Sequence, residues 1–262
     1  MKRVRVLLVG AKGRMGQAIS AAAEAADAVI VAALDQGDDL TKEIDACEVV
    51  VDFSHPSATD EICRACLGSG KPLVVGTTGH SDAERALLEK ASKSVPIVFS
   101  PNFSVGVNAL FWLTRRTAEM LGEDFDLEIV EAHHRLKKDA PSGTAKKLAE
   151  ILCEARKLDY AKNVVHGREG LVGERPAGEI GVHSIRGGDV VGDHTVTFTG
   201  RGERLEITHK ASSRETFAAG ALRAAKWIAG RPSGLYSMED VLGLRGDLAG
   251  NGVVAAVPAA SP

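Results

Sequence analysis

The residues best suited to chemistry lie close together in the sequence EAHHRLKKDAPSGT, which spans residues 131–144. His133 and His134 are adjacent, and Lys137 follows four residues after His133. A histidine that titrates near neutral pH beside fixed positive charge can protonate a small anionic substrate. The sequence PSGT then begins a predicted helix, and the free N–H groups of a helix N-terminus bind anions. The segment therefore predicts acid catalysis on a substrate with several negative charges.

Two other interpretations of residues 131–144 remain open. The segment could be a solvated basic loop before an ordinary capped helix, or it could bind a metal. Adjacent histidines point apart in most backbones, and no acidic residue here has the spacing of a zinc-protease motif. We therefore expect no metal. A catalytic role is the stronger interpretation if a nicotinamide site lies beside the segment.

A second chemical signal is rich in glycine. Gly10, Gly13 and Gly16 have GxxGxxG spacing and directly follow a short apolar run. Glycines at such a strand-to-helix turn allow a sharp bend and let a pyrophosphate approach the backbone N–H groups. Asp35 follows at about the separation expected for a carboxylate that binds a ribose. The pattern predicts a dinucleotide site, the alternative being a glycine-rich turn followed by an incidental acid.

The choice between NADH and NADPH depends on the residues around Asp35. Its carboxylate would repel a 2′-phosphate, and the residue after it is Gln36 rather than an arginine. Lys12 and Arg14 in the glycine loop could still neutralise that phosphate. We therefore expect this chain to use both NADH and NADPH.

The elements that must position these groups begin with an alternation of apolar runs and helical stretches over residues 3–105. The runs are rich in β-branched residues and are bounded by glycine or proline, which is typical of strands buried on both faces. Predicted strands cover residues 3–9, 29–34, 49–53, 73–76 and 97–99, and predicted helices cover 15–26, 58–67 and 82–92. This alternation predicts an α/β fold with a doubly wound, Rossmann-like parallel sheet.

The pattern changes after residue 104. Predicted helices cover residues 108–120 and 144–156, and predicted strands cover 126–132, 180–185, 194–199 and 204–208. Short glycine-rich connections between consecutive strands predict an α+β domain with a mixed sheet. A final amphipathic helix over residues 216–228 is expected to pack back on the first domain.

These elements predict two domains and a tail. Residues 1–105 and 214–244 are expected to form the dinucleotide-binding domain, and residues 106–213 the domain for substrate binding and oligomerisation. Hinges near residues 104–106 and 213–215 would let the domains close around cofactor and substrate. Residues 245–262, rich in glycine and alanine, are expected to form a flexible tail.

Composition excludes several classes of protein. The 262 residues carry a net charge of -3 and only 4% aromatic side chains, so neither a basic nucleic-acid surface nor stacking platforms are expected. The apolar run at residues 4–9 is too short for a signal peptide or a membrane span. Cys63 and Cys66 form a CxxC within a predicted helix, with no second pair at metal-ligand spacing. We expect a cytoplasmic protein with buried, reduced thiols.

Taken together, these motifs closely resemble the bacterial 4-hydroxy-tetrahydrodipicolinate reductases, also called dihydrodipicolinate reductases. The resemblance covers residues 10 to about 244 in the family's order, and EAHHRxKxDAPSGT is its most specific part. The matching segments are residues 10–16, 51–56, 76–79, 100–108, 131–144, 181–186, 192–194 and 209–214.

This resemblance implies an oxidoreductase of lysine and diaminopimelate synthesis that reduces a small dicarboxylate with NADH or NADPH, commonly as a homotetramer. His133 would be the acid/base, Lys137 the proton donor and His134 a substrate contact, while Gly143 and Thr144 would bind a carboxylate. The dinucleotide would be held by Gly10, Ala11, Lys12, Gly13, Arg14, Met15 and Asp35, with Gly76, Thr77, Thr78, Ser100, Pro101, Asn102 and Phe103 near the nicotinamide.

One departure and two rival functions accompany the resemblance. Family members that favour NADPH often carry an arginine after the ribose-binding acid, where this chain has Gln36. One rival is a reductase of another small anionic imine. The other is a non-catalytic NAD(H)-sensing module, which would need an output domain or a nucleic-acid surface.

Overall fold

The computed structural model describes residues 3–213 and 215–245. The predicted tail, apart from Arg245, and Arg214 at one predicted hinge lie outside these described residues. Within them, no helix is both long enough and apolar enough to cross a lipid bilayer.

The first sheet is built from parallel strands, as the continuous apolar runs predict. Its described strands are β1 (Val4–Val9), β2 (Ala28–Leu34), β3 (Val49–Asp52), β4 (Leu73–Val75), β5 (Pro96–Phe99) and β11 (Gly234–Tyr236). They are ordered β11-β5-β4-β3-β1-β2, so the chain reverses direction across the sheet after β2, and the switch point lies between β1 and β3. Ligands of doubly wound sheets bind at the carboxyl ends of the strands beside such a switch point.

Helices cover both faces of this sheet. They are α1 (Arg14–Ala22), α2 (Leu40–Glu43), α3 (Thr59–Ser69), α4 (Asp82–Ser92), α8 (Glu215–Ile228) and α9 (Met238–Leu242). Side chains of β1 alternate between two cores: Val6 packs with α1 and α8, and Leu7 packs with α3 and α4. Both side chains are fully buried, and truncating Leu7 to alanine would cost roughly 2–5 kcal/mol. The expected return of the last long helix to the first sheet is confirmed.

The second sheet is mixed, as predicted. Its strands are β6 (Asp126–His133), β7 (Val164–His166), β8 (Ile180–Arg186), β9 (Gly192–Gly200) and β10 (Glu203–Ala211), in the order β10-β9-β6-β8-β7. Strand β6 is antiparallel to β9 and parallel to β8. Three helices accompany it in the described chain: α5 (Val105–Leu121), α6 (Gly143–Arg156) and α7 (Tyr160–Asn163).

Side-chain alternation along β6 decides which residues reach the functional site. Leu127 and Ile129 are buried against α5 and α6. Since successive side chains of a strand point to opposite faces, Glu131 and His133 share this helix-covered face. The strand therefore carries the apolar core at its start and a charged pair at its end.

Several boundaries differ from the predictions. Helix α1 ends at Ala22 rather than residue 26, because the chain turns there: the N–H of Ala28 bonds to the carbonyl of Ala23, and Asp27 adopts a positive φ of 52°. The short elements α2, α7, α9, β7 and β11 were not predicted. The fold class itself, a Rossmann-like parallel sheet with a second, mixed sheet, is confirmed.

The cysteines lie in the core. Cys63 and Cys66 are buried on α3, and all four cysteine thiols are free. Burial raises the pKa of Cys63 to about 11 and that of Cys66 further. Thiols with raised pKa values are poor nucleophiles, which agrees with the prediction of buried, reduced side chains.

Candidate active site

The glycine loop has the shape that the GxxGxxG pattern predicts. Gly10 has a φ of +83°, and a side chain there would collide with the backbone carbonyl of Phe53. A side chain on Gly16 would collide with the carbonyl of Gly10. Helix α1 begins directly after Gly13, and no side chain caps its N-terminus. Backbone N–H groups at this end can therefore receive a phosphate.

Asp35 closes one end of the loop. Its carboxylate accepts hydrogen bonds from the N–H groups of Gln36 at 2.9 Å and Lys12 at 2.8 Å, which lower its pKa. The N–H of Asp35 in turn bonds to the carboxylate of Asp38 at 2.8 Å. A cavity of about 690 Å³ opens here, lined by Gly10, Gly13, Asp35, Asp38, Phe53 and Glu61 among others. The side chains of Lys12 and Arg14 are exposed and do not line it.

A buried acid orders the next part of the cleft. Asp52, which ends β3, accepts hydrogen bonds from Ser54 Oγ at 2.5 Å and from Thr77 Oγ1 at 2.9 Å. The N–H of Gly76 bonds to the Asp52 carbonyl, and a side chain on Gly76 would overlap the Phe53 ring. Burial raises the pKa of Asp52. This acid holds the ends of β3 and β4 together beside the predicted nicotinamide contacts, a role that the sequence analysis did not assign.

The segment at residues 100–103 links the two sheets. Ser100 Oγ donates to the carbonyl of Asn102 at 2.9 Å, and Asn102 Nδ2 contacts Thr144 Oγ1 at 3.4 Å. Pro101 is exposed, whereas Phe103 is buried in the core with its ring 5.6 Å from that of Phe53. A residue predicted near the nicotinamide thus touches one predicted at the substrate carboxylate.

His133 lies at the end of β6 and is held by a buried carboxylate. Its Nδ1 is 2.5 Å from Oε2 of Glu131, whose side chain is fully buried. Arg186 donates to both oxygens of Glu131, at 2.7 and 2.9 Å, and the N–H of Ser142 donates at 3.2 Å. Burial would raise the pKa of Glu131, but hydrogen bonds from Arg186, Ser184 and His133 outweigh it and lower the pKa to about 2.

A second buried histidine completes this cluster. His194 is 3% exposed, its ring meets that of His133 edge-on at 5.2 Å, and its Nε2 is 3.1 Å from Ser142 Oγ. Burial, with the nearby His133, lowers the pKa of His194 to about 4, so this ring is neutral at pH 7. Ser142 also caps α6 by accepting from the N–H of Ala145 at 3.2 Å. His194 therefore fixes the helix end on which an anion would bind.

The remaining predicted substrate residues surround this end of α6. Lys137 Nζ lies 2.9 Å from Asp139 Oδ1, and the Lys137 N–H bonds to the carbonyl of His134 at 3.1 Å in a tight turn. Gly143 begins α6 and is exposed, with open space where a side chain would lie. Thr144 follows and touches Asn102.

Three groups of this cluster had no role in the sequence analysis. Glu131 was visible, since it lies two residues before His133 and so shares its face of a strand. Arg186 and His194 lie in segments that carry the family resemblance, but nothing in the sequence relates them to His133. Strand register brings them together: Arg186 pairs with His133 across β6 and β8, and His194 pairs with Glu131 across β6 and β9.

The same groups include a possible metal-ligand set. Ligand atoms of Glu131, His133 and His194 lie within 4.8 Å of one another. Both carboxylate oxygens, however, already bond to the guanidinium of Arg186, and a divalent cation would have to displace it or lie beside it. The arrangement suits a hydrogen-bonded acid better than a metal, and we assign no metal ligand here.

Known proteins match the chain over almost its whole length. Family models for the dihydrodipicolinate reductase N-terminus and C-terminus match residues 4–103 and 106–242. The 4-hydroxy-tetrahydrodipicolinate reductase of Akkermansia muciniphila is 57% identical over 242 residues, covering 92% of this chain and 98% of that protein. The enzyme of the same name from Hahella chejuensis is 47% identical over 265 residues, covering 92% and 99%.

A solved structure shares the fold. Dipicolinate-bound dihydrodipicolinate reductase from Paenisporosarcina sp. TG-14 aligns with a TM-score of 0.68 at 24% identity, covering 90% of this chain and 97% of that one. The family models account for both sheets, and the relatives are oxidoreductases by name. This chain therefore belongs to the dihydrodipicolinate reductase family and is an oxidoreductase of the kind that uses a nicotinamide cofactor.

Proposed function

We propose that this chain reduces 4-hydroxy-tetrahydrodipicolinate to tetrahydrodipicolinate with NADH or NADPH, a reaction of lysine and diaminopimelate synthesis. The relatives that carry this enzyme name align over nearly their full length. The observation that carries the proposal is the contact between Asn102 and Thr144, because it joins the predicted cofactor site to the cationic end of α6. A hydride donor and a dicarboxylate substrate would meet there.

His133 is the proposed acid. Loss of water removes the 4-hydroxyl with one substrate proton, and reduction then adds a hydride and a proton. The nicotinamide supplies the hydride when it is bound. Burial lowers the pKa of His133, Glu131 opposes this, and Lys137 and Arg186 add to the lowering. A bound dicarboxylate brings negative charge to the ring, so it favours the protonated form when the acid is needed.

The substrate carboxylates have two kinds of partner. The N–H groups at the start of α6 and the hydroxyl of Thr144 can bind one carboxylate, because a helix N-terminus carries partial positive charge. Lys137, once it leaves exposed Asp139, and His134 can contact the other end of the substrate. We assign Lys137 as a proton donor that acts together with His133, the acid/base, and Gly143 as the position that must stay open.

NADH is the better of the two cofactors in this proposal. Asp35, Asp38 and Glu61 place carboxylates around the cavity at the end of β2, where a 2′-phosphate would lie. Lys12 and Arg14 are exposed on the glycine loop and can still accommodate NADPH. Comparing kcat/KM for the two cofactors tests this, and a higher value with NADPH would contradict it.

A homotetramer built through the second sheet is the proposed assembly. Among the described residues, the face of this sheet opposite α5 and α6 carries Val130, Ala132 and Ile185, and Ile185 is 55% exposed. Leu171 and Val172 are also exposed on the nearby loop. Apolar surface of this kind is typical of subunit interfaces. Light scattering after size-exclusion chromatography would measure the mass, and a monomer would refute the proposal.

The two-domain division, the hinges near residues 104–106 and 213–215 and a cytoplasmic location stay predictions. The direct test of function is loss of NADH or NADPH absorbance on enzymatically generated 4-hydroxy-tetrahydrodipicolinate. Turnover of another small anionic imine but not this one would favour the first rival. Binding of NADH without turnover of any imine would favour the sensing module.

A further inference from the structure

We propose that Glu131 is a positioning residue for the reaction: it fixes the ring of His133 with a proton on Nδ1, so that Nε2 faces the substrate. This rests on the proposed function of His133 as the acid. Arg186 contributes to this positioning, because its guanidinium keeps the buried carboxylate of Glu131 ionised and stationary.

Hydrogen bonds to both oxygens hold the Glu131 carboxylate in place. Glu131 is fully buried, and one oxygen bonds to His133 Nδ1 at 2.5 Å while Arg186 grips both oxygens. The N–H of Ser142 donates to the other oxygen at 3.2 Å. Rotation of the carboxylate would break these bonds in a buried site, where an unsatisfied charge is costly. The imidazole therefore has a fixed partner.

An ionised carboxylate decides which nitrogen carries the proton. It can only accept, so neutral His133 must donate from Nδ1 and keep a lone pair on Nε2. When the ring gains its second proton, that proton lies on Nε2. Strand β9 leaves room at this atom: a side chain on Gly192 would lie about 3.1 Å from His133 Nε2. The proton to be transferred thus lies on the ring nitrogen that does not contact Glu131.

Charge at the ring also depends on Glu131. The titratable and charged groups that face His133 are Glu131 on β6, Lys137 in the following turn, Arg186 on β8 and His194 on β9. Glu131 is the anion among these four. Without the negative charge of Glu131, burial and the nearby cations would both disfavour protonation of His133. The imidazolium would then form only at lower pH.

The matched test compares Glu131→Gln, Glu131→Asp and Glu128→Gln. Gln has a similar shape, but its amide can donate to Nδ1 and so select the opposite tautomer. We expect Glu131→Gln to lower kcat by about 10²-fold or more, with the affinity for NADH unchanged. As the pH rises, kcat of Glu131→Gln should also begin to fall at lower pH than in the wild type; this fall is called the alkaline limb of the pH profile. Glu131→Asp keeps the negative charge, so its alkaline limb should lie at the wild-type pH.

Glu128→Gln is the control because Glu128 lies on the opposite face of β6 and also pairs with a histidine and an arginine. Its Oε2 is 2.8 Å from His183 Nε2, and Arg168 binds Oε1 at 2.6 Å. Loss of that network affects stability but should leave the alkaline limb in place. A limb that stays fixed in Glu131→Gln, or that moves equally in Glu128→Gln, would overturn the proposal.

Nitrogen-15 NMR of the histidine side chains provides a readout that needs no turnover. In unliganded wild-type enzyme above the pKa of His133, we expect its neutral ring to be protonated on Nδ1, with His133→Ala identifying the signals. A ring protonated on Nε2 would refute the inference even if Glu131→Gln fails to fold. Full activity of His133→Ala would instead refute its proposed role as acid while leaving the tautomer assignment standing.

Discussion

Replacing Arg186 with methionine should destabilise the protein in a manner that depends on pH. The guanidinium holds the fully buried Glu131 through two hydrogen bonds, at 2.7 and 2.9 Å. Methionine fills a similar volume but leaves the carboxylate without its main partner. Breaking a buried pair by removing one member typically costs about 3–5 kcal/mol, because the other charge stays buried.

The pKa of Glu131 gives an independent magnitude. Its value of about 2 in the folded protein lies below its ordinary value of 4.5. At about 1.36 kcal/mol per pKa unit, this difference corresponds to roughly 3 kcal/mol of stability. Because the folded-state pKa is depressed, this stability is present above pH 4.5 and is lost as the pH falls towards 2. The two magnitudes agree.

Urea unfolding at fixed protein concentration would measure the effect. We expect Arg186→Met to lose roughly 3–5 kcal/mol of unfolding free energy at pH 7, and less near pH 4, where the carboxyl of the variant becomes protonated and no unpaired charge stays buried. Arg168→Met is the control, since Arg168 also pairs with glutamates but at a more exposed site, where pairs contribute about 0–1 kcal/mol. A loss below about 1 kcal/mol at pH 7, or one that is equal at both pH values, would refute the reasoning.

Three further predictions concern the two halves of the site. His133→Ala and Lys137→Ala should each lower kcat by about 10²-fold while NADH affinity, measured by fluorescence, is unchanged; full activity of either variant would refute the role assigned to that residue. Gly16→Ala should weaken NADH binding at least about tenfold, since its side chain would overlap the Gly10 carbonyl and displace the loop. Gly68→Ala on α3, with open space around it, should bind NADH normally. Asp38→Asn should raise kcat/KM with NADPH relative to NADH, by reducing negative charge beside Asp35; an unchanged ratio would exclude Asp38 from cofactor choice.

The sequence was most informative where burial imposes a simple pattern. Residues 6–8 of β1 and 49–51 of β3 are fully buried on both faces of the sheet, so each forms a continuous apolar run that can be recognised from the local sequence alone. Strands β7 and β11 have three residues each, too few to show a period, and they form because parallel partners already exist. Helix α1 was predicted too long because the alanine-rich sequence after residue 20 contains no helix stop signal.

The site was predictable only in part, for a related reason. His133 and Lys137 lie in one short segment, so their types and spacing are visible together. Arg186 and His194 are separated from Glu131 by 55 and 63 residues, and their proximity depends on the register of β6 with β8 and β9. A slip of one residue in this register would move every side chain of a strand to the opposite face. No local sequence pattern could therefore have predicted that these three residues meet.

Strand register therefore links stability and chemistry in this fold. Leu127 and Ile129 fix β6 against α5 and α6, and that alternation delivers Glu131 and His133 to the same face two and four residues later. Arg186 and His194 arrive from β8 and β9 at the matching positions. The hydrogen bonds that stabilise the buried carboxylate of Glu131 are therefore the same ones that orient His133, the proposed acid. Buried charged pairs can often be replaced by apolar residues without loss of stability. Glu131 and Arg186 have a chemical reason to remain charged, because the same contacts also orient the proposed acid.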